Sequence, residues 1–143
     1  RAESLPSQDD MHFIFGNPDD GVGLTLINNE GIQQVEVYHT GHSAPYDLSL
    51  NIGQWYHIVG SWTGPDSSPQ LYIDGVFRGT GALETGVASN SEPFAFVGSW
   101  GTSTHNFDGL VDEVRVYNNA LSSDIIYLLY DQPSFTVDPA INY

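Results

Sequence analysis

Short runs of alternating apolar and polar residues recur along the chain and predict β-strands. The runs are rich in β-branched and aromatic side chains, and turn-forming Gly, Pro, Asn and Asp separate most of them. Where apolar residues recur at every second position, their side chains lie on the same face of a strand, so the runs indicate sheets with one buried face. The predicted strands cover residues 11–15, 22–28, 32–39, 46–51, 55–62, 70–73, 76–80, 94–98 and 110–117.

Turn signals between the runs predict antiparallel pairing. Asp74 and Gly75 alone join two predicted strands, and both positions of such a two-residue turn need positive φ, which these residues tolerate. Residues 16–21, 28–31 and 63–69 are loops rich in turn-forming residues. The chain is therefore predicted to be all-β, an antiparallel β-sandwich of the jelly-roll type.

One segment near the C-terminus predicts a short helix instead. Ser122 is a suitable N-cap, and Asp124 suits the first turn because the helix dipole favours a negative charge there. An apolar stripe follows at Ile125, Ile126, Leu128 and Leu129. We expect this helix to close one end of the sandwich. Residues 1–130 are thus predicted to form the jelly-roll domain, and residues 131–143 an extended C-terminal tail.

The charge is strongly negative because basic residues are scarce. The 143 residues include 18 acidic side chains against three arginines and no lysine, a formal net charge of -15. Such a field repels phosphate backbones and favours cations such as calcium, so nucleic acid is not an expected partner; solubility alone is the alternative explanation. The absence of cysteine excludes disulfides and thiolate zinc sites. No apolar run approaches the ~20 residues that span a bilayer, so no membrane insertion is expected.

A carboxylate interrupts the apolar face of the last predicted strand. Leu110, Asp112, Val114 and Val116 are spaced by two, so a flat strand points all four toward the core. An unpaired carboxylate there would cost several kcal/mol. Asp112 is therefore expected to be buried with a partner, which is a backbone amide, an arginine or a metal ion.

Two loops carry the other candidate ligand-binding residues. Trp100, His105 and Asn106 lie in a loop rich in Gly, Ser and Thr, and sugar rings stack on aromatic faces while their hydroxyls bind short polar groups. The alternative is that Trp100 packs beneath the loop. Asp19 and Asp20 could hold a cation or a sugar hydroxyl, although most such pairs are solvated turns, and Asp9-Asp10 is a similar pair.

Histidines offer weaker candidates. His39 and His42 have metal-like spacing without a third ligand nearby in sequence, so zinc is a minor alternative. His57 shares a strand face with apolar residues and is predicted to be a core histidine whose polar atoms are satisfied.

Three blocks of sequence resemble the laminin-G-like, concanavalin-A-like jelly-roll domains. They are "GQWYHIVGSWTG" (53–64), "LYIDGV" (71–76) and "FDGLVDEVRVYNNALSSDII" (107–126), and "HIVGSW" also resembles the pentraxin signature. The resemblance covers roughly residues 4–130. It implies two antiparallel sheets in a secreted or surface protein that binds sugars, proteins or matrix. In related carbohydrate-binding domains and glucanases the aspartate of a similar last-strand motif binds structural calcium, which implies calcium at Asp112.

The chain departs from this family pattern in one respect. The opening strand that normally lies beside residues 112–117 is missing from the sequence, so the edge of that strand needs another neighbour. Residues 134–138, "SFTVD", are the spare β-like segment that the family motif does not require. We expect the gap to be filled by this tail or by a strand from another subunit. The alternative is that the opening strand precedes residue 1 in a longer chain.

The carboxylates argue against catalysis. The glucanase resemblance would require an E-x-D-x-x-E run, which does not occur, and the adjacent Asp112 and Glu113 face opposite ways on a strand. The sequence therefore predicts a non-catalytic recognition or adhesion module of a secreted, cell-surface or virion protein, with a glycan or protein ligand. The alternative is a structural subunit of an extracellular assembly that self-associates through a strand edge. A glycoside hydrolase relative is a distant third.

Overall fold

The computed structural model describes residues 1–17, 22–39, 42–64, 67–81, 95–99 and 104–132. Within them the chain forms antiparallel strands and one helix, which confirms the all-β class and the sandwich. The elements are β1 (Asp10–Gly16), β2 (Val22–Asn29), β3 (Ile32–His39), β4 (His42–Asp47), β5 (Ile58–Ser61), β6 (Gln70–Ile73), β7 (Val76–Thr80), β8 (Phe96–Val97) and α1 (Ser123–Asp131).

The described strands form two sheets that face each other. The five-stranded sheet has the order β4-β3-β2-β1-β8, and the three-stranded sheet has the order β5-β6-β7. β3 and β4 contact β6, and β4 also contacts β7, so the hydrophobic core lies between the sheets. Leu26 pairs with Val35 across β2 and β3. Both side chains are buried in the core cluster with Leu71 and Ile73 of β6.

Two hairpins have the turn geometry that their sequences demand. Asp74 and Gly75 have φ of 52° and 74°, and Glu30 and Gly31 have φ of 52° and 88°. Positive φ at both positions matches the right-handed twist of the flanking strands. The predicted β6–β7 hairpin is therefore confirmed, and the loop predicted at residues 28–31 is the tight turn between β2 and β3.

The C-terminal helix is also confirmed with its predicted cap. The Ser122 hydroxyl accepts a hydrogen bond from the Ile125 amide at 3.5 Å, and Asp124 lies in the first turn. Ile126 and Leu129 are buried and fix the helix to the sandwich. α1 lies against β7, so it covers one end of the small sheet as expected.

The fourth strand lies earlier in the chain than predicted. The sequence pattern placed it at residues 46–51, whereas β4 runs from His42 to Asp47 and includes Pro45. β4 is at the edge of its sheet, where proline is tolerated because one side of the strand needs no ladder. Leu48 and Leu50 follow the strand and pack against the core as partly buried residues.

The strand predicted at residues 110–117 is wrong, and so is the burial of Asp112. The segment is extended but belongs to no described ladder, and Asp112 is exposed. Pairing with residues 1–3 ends at Leu110, whose amide donates to the Arg1 carbonyl at 2.9 Å. Beyond that point no described strand pairs with the segment, and Glu113 has φ of 52°, which breaks the alternation of faces. The Asp112 carboxylate accepts a hydrogen bond from the next amide, that of Glu113, at 2.8 Å.

Candidate functional site

Polar side chains gather where strand β1 begins. We define the β1 polar cluster as Asp10 and His12 of β1, together with His105 and Asp108 of the segment beside it. His105 Nδ1 lies 3.1 Å from Asp10 Oδ1, and the two side chains are 37% and 40% exposed. The backbone fixes this approach, since the Phe13 amide donates to the His105 carbonyl at 2.8 Å. The backbone therefore fixes the positions of Asp10 and His105, and both side chains remain accessible to solvent.

The charges of the cluster influence one another. The Asp10 pKa is lowered, chiefly because the Met11 backbone amide donates to the carboxylate and also because His105 lies beside it. Burial lowers the His12 pKa, which the negative charges of Asp10 and Asp108 partly counteract. Asp10 therefore remains an ionised acceptor at neutral pH, and His12 remains a neutral imidazole.

The predicted site residues fall into three groups. His105 takes part in the β1 polar cluster, and Asn106 is an exposed residue beside it, bridged to Phe13. Trp100, Asp19 and Asp20 lie outside the described residues, so their predicted roles stay predictions. The side chains of the proposed zinc pair at residues 39 and 42 also lie outside the description, although their backbones are paired across β3 and β4.

The sequence analysis assigned no role to His12 and treated Asp10 only as one of a pair of loop carboxylates. The usable signal is their spacing of two, which places both on one face of a strand, but the strand predicted at residues 11–15 excludes Asp10, with which β1 begins. Asp10 was read with Asp9 as a solvated loop pair, but only Asp9 is a turn residue. It has φ of 60°, and its carboxylate accepts a hydrogen bond from the Glu30 amide at 3.1 Å.

A second feature is an open cleft between the two sheets. Its volume is about 710 Å³, which lies in the range of small-molecule and peptide sites. Leu24, Leu26 and Val37 of the large sheet and Ile58 of the small sheet line its interior. One wall is the extended segment of residues 110–121. We call this feature the interlayer cleft.

The mouth of the cleft exposes apolar and aromatic side chains. Trp55 is 49% exposed there, and Leu110, Val114 and Val116 of the wall are 50%, 46% and 75% exposed. These are large exposures for residues of this type, and a contiguous apolar surface usually marks a contact site. The cleft therefore presents apolar side chains beside charged ones such as Glu113 and Arg115.

His57 lines the same cleft and departs from its prediction. Its Nδ1 is buried and has no hydrogen-bond partner among the described residues, so within them the expected satisfied core histidine is not found at that atom. Its ring lies 6.1 Å from the Tyr130 ring, centroid to centroid. Burial lowers the His57 pKa, and the nearby Asp74 carboxylate partly opposes this effect. The imidazole is therefore neutral at pH 7.

The calcium site that the family resemblance implies at Asp112 is not tested by the structure. Calcium needs six to eight oxygen ligands, several of them carboxylates or carbonyls. In the part of the chain that the structure describes, no group of three or more His, Cys, Asp or Glu side chains is placed to hold a metal ion, the β1 polar cluster included. Glu113, the nearest acid in sequence, bonds Arg115 at 2.6 Å instead. Calcium binding itself stays a prediction.

Comparison with known proteins places the chain in a family. A laminin G family model described as "Concanavalin A-like lectin/glucanases superfamily" matches residues 2–126. No protein of curated function matches the chain. Among the described residues, no helix is long and apolar enough to cross a membrane.

One solved structure is similar over most of the chain. It is that of an S-layer domain-containing protein from Clostridium thermocellum ATCC 27405, with 18% sequence identity and a TM-score of 0.46. The match covers 89% of this chain and 66% of that chain, so the chain spans slightly less than two thirds of its length.

Proposed function

Because the chain belongs to the laminin G-type domains of the concanavalin A-like lectin/glucanase superfamily, we propose that it is a non-catalytic recognition module. We place it on an extracellular protein, one that is secreted, displayed on a cell surface or carried on a virion. Its ligand in this proposal is a glycan or another protein. The superfamily contains both lectins and glucanases, so the choice between binding and catalysis rests on the residues of this chain.

The observation that carries the proposal is the β1 polar cluster. Sugar hydroxyls both donate and accept hydrogen bonds, and the ionised Asp10 accepts while the imidazole of His105 can do either. The two groups are partly exposed and held 3.1 Å apart, and exposed Asn106 adds an amide beside them. We include Trp100, Asp19 and Asp20 in this site as sequence-based candidates.

A glycan array tests this proposal. Binding should fall at least about tenfold in His105→Ala, because a lost hydrogen bond to a charged group costs ~1.5–3 kcal/mol. Asp131→Asn, which removes an exposed acid at the end of α1, is the matched control and should bind as the wild type does. Arrays with calcium and with EDTA decide whether the predicted calcium takes part. If no glycan binds, or if both variants bind equally, the glycan proposal is wrong.

The carboxylates support binding rather than hydrolysis. Retaining and inverting glycosidases need two carboxyl groups that flank one bond, one of them available as an acid. Asp112 is engaged by the Glu113 amide, and Glu113 is paired with Arg115. Asp10 is held ionised, which suits an acceptor but not a general acid.

A second candidate function is that of a structural subunit joined to its copies by strand exchange. The segment of residues 112–116, which is exposed and lies in no described ladder, favours it, because open strand edges invite another chain. Light scattering tests this candidate directly. A mass above that of one chain, which falls to one chain in Val116→Asp, would support it, and a monomer at all concentrations would contradict it.

A further inference from the structure

The interlayer cleft leaves apolar side chains of both sheets only partly covered. Leu24 of β2 and Ile58 of β5 belong to opposite sheets, and both line the cleft. Each packs against the core cluster yet remains only partly buried, and Ile14 of β1 and Leu50 are in the same position. Removing apolar surface from water is favourable, so an apolar occupant of the cleft is stabilised by these side chains.

The large sheet offers side chains rather than backbone groups to such an occupant. Leu24 and Leu26 lie in β2, and Val37 lies in β3, and each of these strands is paired with a neighbour on both sides. Their ladders use the backbone amides and carbonyls. A polypeptide or a sugar on this surface would bury polar groups of its own without partners, which is unfavourable. The volume of about 710 Å³ is instead typical of sites for mostly apolar small molecules.

One polar side chain of the lining, His57, is held in place without a hydrogen-bond partner. The His57 amide donates to the Asp74 carboxylate at 2.9 Å, and the His57 carbonyl accepts from the Asp74 amide at 2.8 Å. The ring packs beside that of Tyr130, and within the described ranges the His57 side chain makes no hydrogen bond. Because its backbone is fixed at the β6–β7 turn, the imidazole must receive a partner from outside.

Burial determines which nitrogen of this ring can meet a ligand. Nδ1 of His57 is buried and has no partner in the part of the chain that the structure describes. A buried N–H without an acceptor is rarer in proteins than an acceptor without a donor, so the proton of the neutral imidazole belongs on Nε2. Burial also lowers the His57 pKa, which keeps the ring neutral. His57 therefore offers Nε2–H as a donor, which calls for an acceptor on the ligand.

Charge determines the class of that acceptor. The carboxylates of Asp74, Asp112 and Glu113 line the cleft, and the whole chain carries a formal net charge of -15. The arginines of the described lining, Arg1 and Arg115, are each paired with a glutamate. An anionic head group would therefore meet a repulsive field, whereas a neutral oxygen would not.

We propose that the interlayer cleft binds an uncharged, mostly apolar small molecule whose carbonyl or other neutral oxygen accepts a hydrogen bond from His57 Nε2. The apolar body of this molecule covers Leu24 and Ile58 on the two sheets. The site is separate from the β1 polar cluster, since none of the four residues of that cluster lines the cleft. The inference therefore goes beyond the recognition of a glycan or protein and does not depend on it.

Three fluorescent probes with the same apolar body test the site. Pyrene has no polar atom, pyrenecarboxaldehyde adds a neutral acceptor, and pyrenecarboxylate adds an anionic one. Titration of each probe with the protein, followed by probe fluorescence, should show one saturable site per chain. The aldehyde should bind at least about threefold more tightly than pyrene, because it gains one hydrogen bond. The carboxylate should bind at least about tenfold more weakly than the aldehyde.

Three variants locate the binding. His57→Phe removes the donor and keeps a flat ring, so the preference for the aldehyde over pyrene should disappear while pyrene binds as it does to the wild type. Leu24→Trp fills the cleft from the large sheet and should abolish binding of both probes. Ile32→Ser removes an apolar side chain that is 51% exposed outside the cleft, and as the control it should change neither affinity.

The outcomes separate the proposal from its competitors. A preference for the aldehyde that disappears in His57→Phe and persists in Ile32→Ser supports it. Equal affinities of the aldehyde and pyrene for the wild type, or a preference that persists in His57→Phe, would overturn it. Carboxylate binding as tight as that of the aldehyde would overturn the neutral class of ligand. Binding that is lost in Ile32→Ser would place the probes on the outer surface and overturn the site.

Two further results complete the test. Failure of all three probes to bind would overturn the proposal, because another part of the chain or a second copy would then occupy the cleft. If circular dichroism shows that Leu24→Trp is unfolded, the comparison of His57→Phe with the wild type decides alone. Glycan binding should be unchanged in His57→Phe, so failure of this inference and failure of the glycan proposal are distinguishable.

Discussion

Replacing Gly60 by alanine tests how tightly the two sheets approach each other where Gly60 lines the interlayer cleft. Gly60 lies in β5 and faces Val37 of β3 in the opposite sheet. A Cβ atom at Gly60 would lie 2.3 Å from Val37 Cγ2 and 3.2 Å from Val37 Cβ. Carbon atoms in contact normally lie about 3.5–4.0 Å apart, so the sheets or the valine must move by more than ~1 Å.

The expected cost is ~1–3 kcal/mol, the usual range for adding a methyl group to a filled core. Val37 is fully buried, and its β-branched side chain has few alternative rotamers, so it cannot turn aside. Removing a glycine from a strand is itself favourable by ~0.5–1 kcal/mol, which would mask part of the cost. Gly79→Ala in β7 corrects for this gain, because no atom lies within 4 Å of its added Cβ.

Urea denaturation of the two variants and the wild type measures the difference. We expect Gly60→Ala to be less stable than Gly79→Ala by ~1–3 kcal/mol. In a Val37→Ala background, which removes the clashing methyl, Gly60→Ala should cost little, so the two substitutions should be strongly coupled. Equal stability of Gly60→Ala and Gly79→Ala, or no coupling with Val37→Ala, would refute the reasoning.

Three further predictions concern charge and chemistry. The free energy of unfolding should fall as pH drops below about 6.5. Burial lowers the His57 pKa in the folded state, so the unfolded chain takes up the proton more readily, and the stabilisation by neutral His57 is complete only above that pH. A His57→Gln variant with an unchanged pH dependence of unfolding would contradict this prediction. Asp112→Ala should change the unfolding free energy by less than ~0.5 kcal/mol, since the side chain is exposed; a larger loss in urea denaturation would show that it is buried. No reducing ends should be released from a β-glucan panel, and release that is lost in Asp112→Asn or Glu113→Gln would overturn this expectation.

Features fixed by a few neighbouring residues were predictable from the sequence. The Asp74-Gly75 turn was found because two consecutive positions with positive φ leave few choices of residue. The cap at Ser122 was found because its bond to the Ile125 amide spans only three residues. The fold class could be predicted in the same way, because apolar and polar residues alternate along the strands. In each case the determining contacts are local.

Features that depend on distant partners were not predictable. The alternation of residues 110–117 shows which side chains could face a core, but a ladder also needs a neighbour, and Asp112 became exposed without one. His12 belongs to the β1 polar cluster because β1 lies beside residues 104–108, an adjacency that no local pattern reveals. The burial of His57 Nδ1, which has no hydrogen-bond partner within the described ranges, likewise results from packing between distant segments.

The β1 polar cluster and the cleft wall lie on one continuous segment, yet they are anchored separately. The Phe13 amide holds the His105 carbonyl, and the Gly98 carbonyl accepts from the Phe107 amide, so the first half is fixed to the large sheet. Residues 108–110 are fixed again by pairing with residues 1–3. The segment beyond Leu110 lies in no described ladder, so a substitution there should leave the 3.1 Å contact between His105 and Asp10 unaltered.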